Sequence, residues 1–193
     1  MHGCTGEMFE WWFRWRCDTQ KYVWWHPVDH VYSGWQGDLR DDTHVGSEHV
    51  VEERLTDIPN QGLLVQFVET ASFFAPGDYA AALAAGTVSG AVVGRTGMGH
   101  EPPRLPTREI VGGRLLHVCR DTPWGMVLRS HFFLGTDLPL VGASAQQVEV
   151  EVPLVLGPNL LAHAYNEFTF LSHFLPSLFI AEHPDVRAPE VPW

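Results

Sequence analysis

The sequence predicts an α+β domain of helix-grip shape, in which a curved antiparallel sheet wraps one long C-terminal helix and encloses a pocket. From residue 48 onward the hydrophobic pattern repeats every second residue, as in EHVVEERL and QGLLVQFV, which is typical of half-buried strands. Near the end, LLAHAYNEFTFLSHFL carries the one strong pattern with helical period in the second half. A simple sheet with a covering helix and no cavity has the same order of elements, so it remains the alternative.

The N-terminal third is rich in aromatic residues and begins with a predicted helix. In GEMFEWWFRWR the residues Phe9, Trp12 and Phe13 recur at helical spacing, which indicates a short amphipathic helix. In the following KYVWWHPVDHVYSGWQGDL, Pro27 and two glycines interrupt any long element. We therefore expect short extended pieces joined by turns there.

The remaining elements follow from alternation and breaker residues. Strands are predicted in EHVVEERL, QGLLVQFVETASFF and TVSGAVVGR, with a short helix in DYAAALAAG. The segments REIVGGRLLHVCRD and GMVLRSHFFLG, joined by TPWG, predict a hairpin. A further strand is expected in QQVEVEVPLVL, after which Asn159 should cap the last helix. Pro176 and the tail HPDVRAPEVPW are expected to close the chain.

Composition limits the class of protein. The 193 residues are 45% hydrophobic, which suffices for one core and predicts a single domain over residues 1–193. A formal charge of -11 opposes phosphate neutralisation and disfavours nucleic acid as a partner. Three scattered cysteines fit a reducing cytoplasm, and no signal peptide or membrane span is recognisable. We therefore expect a cytoplasmic protein without a membrane partner.

Two polar residues interrupt the apolar side of the last predicted helix. His163 and Glu167 are four residues apart, so their side chains project together at the border of the apolar stripe. An imidazole nitrogen and a carboxylate oxygen both bind Zn²⁺ at about 2.0–2.2 Å. A hydrogen bond between the two side chains explains the same spacing, so both readings stay open.

Other residues can complete such a site. His26 and His30 lie in WWHPVDH, where Pro27 disrupts helical spacing, so one can be a ligand while the other packs. Strand alternation in EHVVEERL places Glu53 on the more apolar face. A charged carboxylate on that face needs a partner or a metal ion to offset its desolvation.

The predicted hairpin carries two more histidines. His117 shares a strand face with Leu115 and Cys119, so it can line the pocket as a proton donor or acceptor, or be an ordinary core histidine. His131 is a weaker candidate because Arg129 shares its side of the strand. The sequence has no HExxH, GxSxG or P-loop pattern, and three isolated cysteines do not support a Cys/His nucleophile.

Six short motifs together resemble the 2,4-diacetylphloroglucinol hydrolase and phloretin hydrolase family. They are EMFEWWFRW, YVWWHPVDH, HVVEE, GGRLLHV, RSHFFLG and HAYNEF, spread from about residue 6 to about residue 180. The resemblance implies a zinc hydrolase that cleaves a carbon-carbon bond between an acyl group and a phenolic ring. It also implies a domain similar to the Bet v 1 helix-grip fold.

The resemblance also implies roles for individual residues. The implied metal ligands are His30, Glu53, His163 and Glu167. Tyr22 is implied to contact phenolic oxygens of the substrate, and His117 to have a polar or proton-transfer role in the pocket. Glu52 is a fallback for Glu53 as ligand. Zn²⁺ is the implied ion, although mixed nitrogen and oxygen ligands also accept other divalent transition metals.

The chain departs from the family pattern at three places. The aromatic segment lies almost at residue 1, so we expect the smaller N-terminal domain of larger relatives to be absent. Arg16 stands where relatives commonly have histidine, and no tyrosine stands near His131 or Phe132, where a second family tyrosine would fall. These departures leave the expected metal site intact and the substrate open.

The resemblance implies a metal-dependent, retro-Claisen hydrolysis of an acylated phenolic or β-diketone substrate. Under this interpretation Glu53 is also a candidate base. A zinc-dependent cyclase, isomerase or decarboxylase on the same scaffold is one alternative, because one fold hosts several chemistries. A non-catalytic binder of an apolar metabolite, with His163 and Glu167 satisfying each other, is another. The expected partner is a small aromatic or diketone molecule, and the sequence leaves the oligomeric state open, a homodimer included.

Overall fold

The computed structural model describes residues 1–186 and has the predicted α+β order, with strands preceding one long C-terminal helix. The helices are α1 (Gly6–Trp15), α2 (Thr19–Trp25), α3 (Asp78–Ala84), α4 (Ala145–Glu151) and α5 (Leu156–Glu182), with single 3-10 turns at Thr70–Phe73 and Leu138–Val141. The strands are β1 (His30–Gly37), β2 (Ser47–Leu55), β3 (Ile58–Phe67), β4 (Gly90–Met98), β5 (Gly113–Thr122) and β6 (Gly125–Phe133). The predicted tail from residue 187 onward lies outside the described residues.

The six strands form one curved sheet in which each strand pairs antiparallel with the next along the chain. Helix α5 lies against α1, α2 and β2. A cavity of about 820 Å³ lies between the sheet and α5, lined by both. The predicted curved sheet and long helix are thereby confirmed, and the alternative without a cavity is wrong.

Helix α1 links the long helix to the sheet through its aromatic face. Trp12 is 1% exposed and contacts Phe174 of α5, with ring centroids 5.7 Å apart. On the same helix Phe13 contacts Phe67 of β3 at 5.5 Å. The helical spacing of the aromatic residues is confirmed. Each such buried ring contributes roughly 1.5–3 kcal/mol through the apolar area it removes from water.

The prediction of extended pieces from residue 21 onward is wrong for the first of them. Helix α2 covers Thr19–Trp25 because Asp18 caps it, its carboxylate accepting a hydrogen bond from the backbone N–H of Lys21 at 2.9 Å. Pro27 then follows the helix end, where it is tolerated, and strand β1 begins at His30. The capping residue decided the outcome over the breakers downstream.

The strand predicted in QQVEVEVPLVL is also wrong, because residues Ala145–Glu151 form α4. Ser144 accepts from the backbone N–H of Gln147, and the Gln147 side chain accepts from the backbone N–H of Ser144, which is a capping box. The alternating valines do not mark a buried face, since Val150 is 74% exposed. Local capping therefore overrides the period-two pattern here.

Helix α5 begins three residues before the expected cap. It starts at Leu156, and Pro158 is tolerated because backbone N–H groups in the first turn have no helical acceptor. Asn159 serves the β2–β3 turn instead: its side-chain oxygen accepts from the Thr56 hydroxyl and from the backbone N–H of Asp57. The expected capping role of Asn159 is therefore wrong.

Helix α5 also continues past Pro176 to Glu182. A proline inside a helix costs about 3 kcal/mol. Leu175 and Phe179, on either side of it, are 0% and 3% exposed, and burying each contributes about 1.5–3 kcal/mol. Their burial outweighs the cost of the proline. Despite this length, the helices of residues 1–186 include none with the span and apolar character needed to cross a bilayer.

Candidate metal centre

His30 offers a free ring nitrogen to the inside of the fold. Its Nδ1 lies 2.9 Å from the backbone carbonyl of Tyr22, and its ring stacks on the Tyr22 ring at 3.6 Å. A carbonyl only accepts, so Nδ1 carries the proton and Nε2 the lone pair. Nε2 is buried without a hydrogen-bond partner among the described residues. It lies 3.7 Å from a carboxylate oxygen of Glu53 and 3.7 Å from one of Glu167.

Glu53 lies beside Nε2 of His30 because the register of β1 on β2 pairs the two residues. His30 pairs with Glu53 across the two strands, and Glu53 is 8% exposed on the inward face that alternation predicted. Its Oε2 accepts a hydrogen bond from the Tyr22 hydroxyl. Glu52 lies on the opposite face, where it accepts from the side chain of Asn60 at 3.2 Å. Glu53, rather than the fallback Glu52, therefore lies beside His30.

Helix α5 contributes His163 and Glu167 from one side, as their spacing predicted. His163 Nδ1 lies 2.9 Å from Oδ2 of Asp29, so this nitrogen carries the proton and Nε2 carries the lone pair. Nε2 lies 3.9 Å from Oε2 of Glu53. Between His163 and Glu167 no hydrogen bond occurs in the described part of the chain. The reading in which these two residues merely satisfy each other is therefore not supported.

Burial makes this cluster unfavourable without a cation. Desolvation raises the pKa of Glu167 well above its usual value, and the neighbouring Glu53 charge raises it further. Desolvation also raises the pKa of Glu53, while it lowers the pKa of His30 well below the ordinary value. Two nitrogens with lone pairs, Nε2 of His30 and Nε2 of His163, thus face the carboxylates of Glu53 and Glu167 in the core. When ionised, these carboxylates can only accept hydrogen bonds. A shared proton or a metal ion must offset the repulsion.

The distances fit a metal ion better than hydrogen bonds. Neighbouring ligand atoms on a tetrahedral Zn²⁺ are roughly 3.3–3.6 Å apart, given bonds of about 2.0–2.2 Å. The three distances, 3.7 Å from His30 to Glu53, 3.7 Å from His30 to Glu167 and 3.9 Å from His163 to Glu53, are slightly wider. One ligand atom each from His30, Glu53 and His163 lies within 4.8 Å of the others. These three buried side chains can hold one ion, and an oxygen of Glu167 lies beside them, 3.7 Å from Nε2 of His30.

A second group, formed by His26, Asp29 and His163, has a similar compactness. In it the contact between Asp29 and His163 Nδ1 is 2.9 Å, which requires a proton on that nitrogen. A protonated nitrogen cannot be a ligand, so the second group is the poorer metal site. His26 packs instead, its ring parallel to that of His163 at 4.9 Å, and its Nδ1 accepts from the backbone N–H of Asp29.

Asp29 is the residue that sequence reasoning missed. It is 3% exposed, and its carboxylate holds the ring of His163 with Nε2 facing Glu53. A carboxylate behind a metal-binding histidine fixes the tautomer and orientation of the ring. The signal was present in the sequence, since Asp29 directly precedes His30, but nothing in one sequence pairs it with residue 163.

Replacing Asp29 by asparagine is expected to weaken metal binding by about 10–100-fold, because the amide orients His163 less firmly and removes its negative partner. Competition with a chromophoric chelator measures the affinity. Asp38→Asn, a change at an exposed acidic residue, is the control and should leave affinity unchanged. Equal affinities for the Asp29 variant and the parent would contradict the orienting role.

The other predicted residues lie around the same cavity or outside it. Tyr22, 2% exposed, and His117, 4% exposed, both line the cavity. His117 Nδ1 lies 2.8 Å from the Ser130 hydroxyl, and burial lowers the pKa of His117 to about 3. His131 is exposed on the other side of β6, as the weaker assignment suggested, while Phe132 lines the cavity.

Comparison with known proteins gives one family. A family model described as DAPG hydrolase PhiG domain matches residues 1–180. Two curated relatives, each called 2,4-diacetylphloroglucinol hydrolase, come from Pseudomonas sp and Pseudomonas protegens. Both are 26% identical over 205 residues, covering 92% of this chain but only 63% and 61% of the relatives, so the chain spans about three fifths of their length. With the match extending over nearly all described residues, the chain belongs to the DAPG hydrolase PhiG domain family.

Proposed function

We propose that this protein is a zinc-dependent hydrolase that cleaves a carbon-carbon bond in an acylated phenolic or β-diketone substrate. The scaffold is a single Bet v 1-like helix-grip domain. The observation that supports this best is the buried, unpartnered Nε2 of His30, which faces Glu53 and Glu167 at 3.7 Å. Both carboxylates line the cavity of about 820 Å³. The family membership supports the same reaction class.

In this proposal His30, Glu53, His163 and Glu167 hold the ion. When bound, a divalent ion polarises an acyl carbonyl and lowers the pKa of water. In the net reaction water adds to the acyl carbon, the bond to the ring carbon breaks with its electron pair on the ring, and that carbon takes a proton. The products are a carboxylic acid and the deacylated ring.

Two residues of the cavity are proposed to handle protons and hydroxyl groups. The Tyr22 hydroxyl donates to Oε2 of Glu53 and so orients the carboxylate, and the other oxygen of Glu53 is proposed to accept a proton from water. Neutral His117, held by Ser130, is proposed to bind or protonate the phenol or enol. Aromatic walls such as Phe168 and Trp25 exclude water and suit a flat ring.

Product analysis tests the reaction. The metal-loaded protein, given 2,4-diacetylphloroglucinol and other acyl phenols, is expected to release a free carboxylic acid and a ring with one acyl group fewer. Glu53→Gln should lower the rate at least 10²-fold, because a proton acceptor and a ligand are lost together. The adjacent Glu52→Gln is the matched control, since Glu52 faces the other side of β2.

Two outcomes would overturn the proposal in different ways. Bound metal without acid release from any acyl phenol would favour a cyclase, isomerase or decarboxylase on this scaffold. Binding of the phenolic compounds by a protein that contains no stoichiometric metal would favour a non-catalytic carrier.

A further inference from the structure

His49 is a buried histidine of β2 that the proposed reaction does not use. It is 4% exposed, lies four residues before Glu53 on the same inward face, and contributes to the lining of the cavity. The Tyr22 ring stands between the two, 5.3 Å from the His49 ring and hydrogen-bonded to Glu53 at its hydroxyl. His49 therefore lies across Tyr22 from the metal-binding side chains.

Two hydrogen bonds of 2.8 Å fix the tautomer of His49. The Ser33 hydroxyl lies 2.8 Å from the carbonyl oxygen of Cys17, which only accepts, so the serine proton is used in that contact. The same Ser33 oxygen lies 2.8 Å from Nε2 of His49 and must accept there. Nε2 therefore carries the proton of the imidazole, and Nδ1 carries the lone pair.

Nδ1 is an available acceptor on a fixed ring. Within residues 1–186 this nitrogen forms no hydrogen bond, and it is not one of the unpartnered ring nitrogens that are fully buried. Trp35 stacks on the imidazole at 4.1 Å, which holds its orientation. Burial lowers the pKa of His49 to about 3, so the ring stays neutral and Nδ1 stays unprotonated near neutral pH. An acceptor in a cavity of this kind calls for a ligand with a hydroxyl donor.

We infer that Nδ1 of His49 accepts a hydrogen bond from a hydroxyl group on the substrate ring and so selects rings with a free hydroxyl group. This inference rests on the proposed function and deepens it: the acyl group lies at the metal-binding side chains, and the ring extends past Tyr22 towards His49. His49 is thus a specificity-determining residue, because an analogue without the donor leaves a buried acceptor unpaired.

Equilibrium binding to the metal-loaded protein tests the inference. The probes are phloroglucinol and its trimethyl ether. Each is titrated into the protein, and the change in tryptophan fluorescence reports binding. The parent protein should bind phloroglucinol more tightly than the ether. His49→Phe, which keeps a flat ring against Trp35, should bind phloroglucinol roughly tenfold more weakly and the ether no more weakly. His44→Phe, at a buried histidine outside the cavity lining, should keep the preference of the parent protein.

A second measurement keeps the test valid if His49→Phe folds poorly. Nitrogen-15 NMR of the His49 imidazole in the parent protein should show a protonated Nε2 and an unprotonated Nδ1. The Nδ1 signal should shift when phloroglucinol is added. In Ser33→Ala, which removes the acceptor that fixes the tautomer, the preference for phloroglucinol should shrink. Unchanged preference in folded His49→Phe, or a protonated Nδ1 in the parent, would overturn the inference.

These readouts separate the two claims. Binding of phloroglucinol and the NMR signals of His49 need no catalytic turnover. Loss of the preference for phloroglucinol over its ether is therefore measured independently of the release of carboxylic acid. Absence of carboxylic acid would contradict the proposed hydrolase. A parent protein that binds phloroglucinol no better than its ether would contradict the role of His49 alone.

Discussion

Replacing His163 by alanine is expected to reduce bound metal from about one ion per chain to a trace. His163 Nε2 faces the proposed ligand Glu53 of β2, and its Nδ1 is held by Asp29, so this one ring connects α5 to the proposed metal site. The loss of affinity should exceed the 10–100-fold expected for removing an outer partner such as Asp29. Elemental analysis of the purified protein after dialysis measures it.

His173→Ala is the matched control for this experiment. His173 lies on the same helix ten residues further on and is exposed, so its loss should not change the metal content. Circular dichroism should show that both variants retain their helices. Full metal content in folded His163→Ala would mean that the ion binds elsewhere.

Removing the metal is expected to destabilise the protein more as the pH rises. In the metal-free protein the folded-state pKa values of Glu53 and Glu167 are raised above their usual value of 4.5. A group whose pKa is raised in the folded state favours folding at pH values below its unfolded-state pKa. This contribution is lost as the pH rises through its folded-state pKa. The metal-bound protein behaves oppositely, because metal ligands must be deprotonated.

Thermal unfolding between pH 4.5 and 8, with and without a chelator, checks this. At a free metal concentration about 1,000 times the dissociation constant, binding should contribute roughly 4 kcal/mol to the free energy of unfolding. The Glu53→Gln and Glu167→Gln double variant should lose the pH-dependent part of the difference. Parallel stability curves for the metal-free and metal-loaded parent would contradict the buried carboxylate pair.

Two simple periodicities predict the arrangement of the site, because its residues lie on regular elements. Strand alternation places Glu53 inward, and helical spacing places His163 beside Glu167. The sequence left His26 and His30 as alternatives, because Pro27 removes any periodic rule between them. The register of β1 on β2, a tertiary feature, is what brings His30 to Glu53.

The failures of prediction have local physical causes. Asp18 and Ser144 start α2 and α4 by capping backbone N–H groups, against the breaker pattern in one case and the alternating valines in the other. Pro176 stays inside α5 because the residues around it are buried. Asp29 contacts His163 and His49 contacts Ser33, and each partner lies on another element of the fold, so one sequence does not reveal these contacts.

Anomalous diffraction at the zinc edge, from crystals of the purified protein, tests the central claim most directly. We expect one peak within bonding distance of Nε2 of His30, Nε2 of His163 and the carboxylates of Glu53 and Glu167. A peak between His26, Asp29 and Nδ1 of His163 would contradict the ligand assignment. Crystals of protein with one bound zinc per chain but no peak at either position would contradict the metal centre itself.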